Sequence, residues 1–154
     1  MIVSRSGKAG GSLALTVFLA GCAAWQLPEQ NAEALAALPI AARCEAELPF
    51  FGYYRYSRDE ATQYMAPDGR IVMGQDGGWC MIRYQVAMVN SAPVMARAEV
   101  RQAPTQGSVM VGTLDGLLRI AYRPNPGFMG QDAFLVSLHG PVSYVVPVRV
   151  FVGP

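Results

Sequence analysis

A chain of 154 residues, 52 % hydrophobic, carries enough apolar material for one folded domain, and a formal net charge of +1 leaves no nucleic-acid footprint. A single histidine, His139, and three cysteines, Cys22, Cys44 and Cys80, exclude most metal and nucleophile constellations before any pattern is sought.

The N-terminus has three parts. Arg5 and Lys8 supply positive charge, and Leu13 to Ala20 form an apolar stretch. That stretch is shorter than the roughly 20 residues of a membrane-spanning helix and has the size of a secretory core region. It ends in Leu19-Ala20-Gly21-Cys22. These four residues, in this place, resemble the lipobox of bacterial lipoproteins. The resemblance implies that residues 1–21 are an export signal cut before Cys22. It also implies that Cys22 bears a diacylglycerol and an acylated amine, which together anchor more firmly than one chain. Ala23 in place of Asp implies the outer membrane. Without residues 1–21, 133 residues remain with a formal charge of −1, and all ten basic residues are arginines.

Residues 22–43 are alanine-rich and read as a lipidated tether. Asn31 is placed to cap a short helix over Ala32 to Leu38, which Pro39 ends. Residues 44–154 read as the folded domain. Cys44 and Cys80 are an even pair in an exported chain, which predicts a disulfide. Two buried thiols and a metal site are the competing readings, the latter weakened by the distance to His139 and the lack of a CxxC.

Phe50 to Tyr56 is aromatic and strand-like. Ser57-Arg58-Asp59-Glu60 has the form of a capping box, predicting a helix through about Met65. Strands are predicted over 70–73, 79–89, 94–101, 107–111, 117–123, 133–138 and 142–152. In the second of these, Cys80, Ile82 and Tyr84 alternate with Trp79, Met81, Arg83 and Gln85, with the even positions facing inward. Seven or eight short strands separated by turn residues predict an all-β antiparallel sandwich. Tyr53, Tyr54, Tyr56 and Trp79 are candidates for an aromatic binding surface, because exposed rings stack on sugars or anchor proteins. The plain alternative is that alternate rings fill the core.

Between residues 103 and 152 the turn and core signals are dense. Pro124 and Pro126 end a strand, Pro126-Gly127 makes a tight turn, and Phe128 can plug the core. Gly130 permits a second bend, Asp132 can accept from loop amides, and Phe134 opens an inward row. Pro147 predicts an edge or a bulge in the last strand. The string Tyr122-x-Pro-x-Pro126-Gly127-Phe128-x-Gly130-x-Asp132-x-Phe134, with Pro104-x-x-Gly107-x-Val109 before it and alternating valines after it, resembles bacterial immunoglobulin-like and cadherin-like repeats. The resemblance implies an immunoglobulin-like sandwich. Cadherin-type calcium sites need clustered acids, which this sequence lacks, so no metal or other cofactor is expected.

His139 sits between Leu138 and Gly140-Pro141 and reads as a turn residue rather than a general base. G-x-S-x-G and H-E-x-x-H are both missing from the sequence. The expected function is therefore non-catalytic: an envelope-anchored binding or structural module on the cell surface or in the periplasm, held to the membrane by lipid, with an envelope protein or a glycan as partner. An accessory subunit docking on an envelope complex is the second reading, and a small hydrolase the third.

Overall fold

The computed structural model describes residues 29–48, 64–65, 68–85, 88–89, 92–93, 97–139 and 143–154. Cys22, Tyr53, Tyr54, Tyr56 and residues 57–63 of the expected helix lie outside them.

The described elements are α1 (Ala32–Ala36), β1 (Cys44–Glu47), β2 (Tyr64–Met65), β3 (Gly69–Gly74), β4 (Cys80–Gln85), β5 (Met88–Val89), β6 (Ala92–Pro93), β7 (Arg97–Gln102), β8 (Gly107–Leu114), β9 (Leu117–Pro124), β10 (Gly130–His139) and β11 (Tyr144–Gly153). Two sheets form the body. The larger has the order β1-β3-β11-β10-β7, with β2 also on β11; the smaller has the order β4-β9-β8. The two sheets make an all-β sandwich, as the alternation and turn spacing predict. Strand β3 runs parallel to β11, and β4, β8, β7 and β10 pair antiparallel with their neighbours.

Period-2 alternation explains which faces meet. Cys80, Ile82 and Tyr84 of β4 are buried while Arg83 and Gln85 are exposed, as predicted. Phe134, Val136 and Leu138 of β10 and Val146, Val148, Val150 and Val152 of β11 complete one apolar layer. Leu118, Ile120 and Tyr122 of β9 answer from the other sheet. Asp115 and Gly116, both at positive φ (53° and 71°), make the two-residue β8–β9 turn. This is the geometry a tight hairpin requires, and it carries β8 three residues past its predicted end.

Three expectations change. Tyr64–Met65 is not helical: it pairs in parallel with Tyr144 and Val145. A short isolated helix is marginal, and an available ladder on β11 outcompetes it. Of the expected strand over 79–89, Cys80–Gln85 pairs with β9 while Met88–Val89 pairs separately with Ala92–Pro93. Pro147 lies in a central strand, not an edge. Its missing donor falls where β11 changes partner, after the β2 register ending at Val145 and before the β3 register starting at Val148.

The stretch expected as a tether is docked from Gln30 onward. Gln30 bridges Thr113, and its side-chain amide donates to Ala98 O (2.7 Å) and accepts from Ala98 N (3.1 Å), joining the edges of β8 and β7. Asn31 precedes α1 at φ 55°, and its amide donates to Val111 O instead of capping the helix. Leu35 of α1 is buried with Trp79 and Ala121 on the outer face of the small sheet, so the helix adds a third layer. Ile40 then pairs in parallel with Trp79. A Cβ on Gly78 would collide with the Ala41 backbone, so only glycine lets this segment cross. The Asp76 carboxylate accepts from Gly78 N (2.9 Å) and Ala42 N (2.6 Å), and these amides hold it below the usual carboxylate range.

Cys44 of β1 and Cys80 of β4 form a disulfide with Cα atoms 5.2 Å apart, covalently joining the two sheets. For a loop of 36 residues the chain-entropy account gives about 4 kcal/mol. The double variant Cys44→Ser/Cys80→Ser should lose most of that in thermal unfolding, and a change under about 1 kcal/mol would show that the sheets hold without the bond.

Candidate functional site

The residues of the C-terminal string converge on one end of the sandwich. Asp132, 8 % exposed, stands on β10 and faces inward. Its carboxylate accepts from Thr105 N (3.1 Å), Thr105 Oγ1 (3.1 Å), Gln106 N (2.8 Å), Ala133 N (2.9 Å) and the Tyr122 hydroxyl (3.0 Å). The Tyr122 ring stacks on Phe134 at 6.0 Å. A Cβ on Gly107 would sit 2.5 Å from that ring and from Arg123 O, which explains the glycine. Gly127 adopts φ 82° in the turn after Pro126, Gly130 adopts φ 132°, and Phe128 packs against the core. With its amide oxygen turned to the loop, Gln75 accepts from the N–H groups of Gly127 and Phe128, tying the 75–78 turn to this cluster.

Burial pushes the Asp132 carboxyl upward, but the amides of Gln106, Thr105 and Ala133 and the Tyr122 hydroxyl outweigh it, so its pKa lies below the ordinary value. Burial and the Asp132 charge push the Tyr122 phenol upward. A carboxylate saturated with donors and a phenol held neutral make a structural knot, with no free lone pair for acid–base chemistry.

Around this knot the surface mixes polar and apolar groups. A groove of about 410 Å³ runs past Gln75, Ser108, Arg123, Asn125 and Pro126. Trp79, expected as part of an aromatic surface, is buried (6 % exposed), with the Arg123 guanidinium 4.9 Å above its ring. It anchors α1 and offers no ring face to solvent. A second groove of about 290 Å³ follows the seam between β1 and β4, lined by Ala41, Cys44, Ala46, Met81 and Arg83, with Ile40 half exposed at its rim.

His139 closes strand β10 opposite Arg97 rather than lying in a turn. Its Nε2 lies 2.9 Å from Glu99 Oε1, and Glu99 also meets Arg97 at 3.3 Å. Arg97 is exposed and the other two are partly so, and such surface chains contribute little.

The alternation that placed Arg83 outward also places Arg119 and Arg123 on the outer face of β9, a feature that chain-order reading passed over. Arg83 stands opposite Arg119 in register. Among the described residues no three His, Cys, Asp or Glu side chains gather as a metal site would require. No protein-family model matches the chain, and no curated protein matches it.

Replacing Asp132 by Asn removes the charge and turns an NH₂ toward amide donors, so it should destabilise by about 2–4 kcal/mol. Because the folded-state pKa is depressed, stability is full above the ordinary carboxylate value near pH 4 and falls as acid protonates the unfolded chain first. Urea midpoints measured from pH 6 down to pH 2.5 should therefore drop, less steeply in Asp132→Asn; a residual slope from Asp76, lowered in the same direction, should persist.

Proposed function

We propose that the chain is a lipid-anchored protein of the bacterial envelope, and that its sandwich is a non-catalytic binding or structural module. The Cys44–Cys80 disulfide carries this reading. Such bonds persist in oxidising compartments, which agrees with the export signal and lipidated Cys22 expected from Leu19-Ala20-Gly21-Cys22. The chemistry of the described core supports the second half: its cysteines are spent on a bond and its most buried carboxylate on five hydrogen bonds. The groove beside the Asp132 knot, with Arg123, Asn125, Gln75 and Ser108 in its lining, offers hydrogen-bonding groups to a glycan or an envelope protein.

Export and anchoring have a direct test. Cys22→Ser should move the protein from the membrane to the soluble fraction and abolish the acyl mass on the N-terminal peptide; a protein that still sediments with membranes would refute lipidation at Cys22. Protease added to intact cells, with a lysed control, then separates the two settings. Loss from intact cells means surface display. Protection means the periplasm, and favours an accessory subunit docking along the β1–β4 seam, where Ile40 is exposed.

A further inference from the structure

The outer face of the small sheet holds a buried cation whose one acidic neighbour stands at the limit of ion-pair distance. The Arg119 side chain is only 8 % exposed, yet Nε and Nη1 have no hydrogen-bond partner. Its nearest acid is Asp115, four residues earlier, whose carboxylate is 79 % exposed and stands 4.0 Å from Nη2. Directly opposite in register is Arg83, a second cation. Like charges in that relation repel, with Cβ atoms about 5 Å apart. A buried guanidinium with unmade hydrogen bonds costs several kcal/mol, and a neighbouring cation adds to that cost. Both burial and Arg83 push the Arg119 pKa down, and Asp115 only partly opposes them. Among the described residues the other buried polar side chains, Thr113, Asp132 and Ser137, leave no buried side-chain nitrogen or oxygen unpaired.

We propose that Arg119 and Arg83 form an anion site on the outer face of β4 and β9, and that its ligand is a phosphate group. A phosphate supplies several acceptor oxygens and up to two negative charges, enough to meet the free nitrogens of Arg119 and reach Arg83 together. A single carboxylate brings one charge, and Asp115 already provides one at the margin. Guanidinium groups suit this role because they stay charged where they are partly dehydrated and present fixed donors. The Arg83 side chain also lines the β1–β4 seam, so this member of the pair is open to solvent. This site is independent of the lipid anchor and of the reading given under the proposed function.

The test uses the purified full chain in detergent. Inorganic phosphate, titrated at constant ionic strength against chloride, should raise the thermal midpoint saturably by several degrees, and acetate should raise it less. The neutral, similarly sized Arg119→Met should abolish the response while unfolding at or above the wild-type midpoint without phosphate, since it removes an unpaired buried charge. Arg83→Gln should weaken the response at least tenfold in phosphate concentration and keep the fold. A phosphate effect no larger than that of chloride, or one retained in Arg119→Met, means an adventitious ion only and overturns the site. A larger effect of acetate than of phosphate overturns the assignment of the ligand class.

Discussion

A carboxylate taken into the end of a β-sandwich must find donors or it will not stay ionised, and Asp132 finds five. Three of the donor groups, the amides of Thr105 and Gln106 and the Thr105 hydroxyl, come from the connection between β7 and β8. One comes from β9, across the core, and one from its own strand. The two sheets and the loop that passes between them are thus held by one charge. Much else follows from it. Tyr122 must lie flat enough to stack on Phe134 and point its hydroxyl at the carboxylate, and the backbone at residue 107 must come so close to that ring that only glycine fits. The turn after Pro126 is positioned by the same cluster, with Gln75 fastening it from the other sheet.

The Cys44–Cys80 bond lies at this same end. Cys80 is the cross-strand partner of Tyr122, and Cys44 pairs with Met73, which pairs in turn with Val152 at the level of Gly130. A covalent tie and an ionic one therefore close neighbouring rows. At the opposite end His139, Glu99 and Arg97 form a partly exposed ion-pair chain.

The strands and the disulfide were legible because their signals are local or countable: alternation in β4 and β11, proline and glycine at turns, an even pair of cysteines behind an expected export signal. Asp132 was legible as an acceptor of loop amides, but its bond to Tyr122 joins residues ten apart across two sheets and has no sequence signature. The docking of residues 30–42 was hidden for a related reason. An alanine-rich segment with few large side chains resembles a linker, and what fixes it is backbone pairing at Gln30 and Ile40 together with one leucine on Trp79. Burial of Trp79 follows from that added layer and could not be read from the alternation, which correctly turned it away from the main core. Arg119 escaped notice because an outward position in a strand normally means solvent, and here it does not.

The order in which these ties occur along the chain matters under load. A protein held at its N-terminus and pulled from a distant surface receives tension first through the segment at Gln30, then through Ile40, and then at Cys44. The first two contacts are short sets of hydrogen bonds, four at Gln30 and two around Ile40, with no covalent tie. The third is a covalent stop that passes force directly into β4. The segment between the two cysteines, which are 36 positions apart, is then shielded from extension along the chain. The docked segment would act as a short extensible leash in series with a stiff body, lengthening before the sandwich is strained.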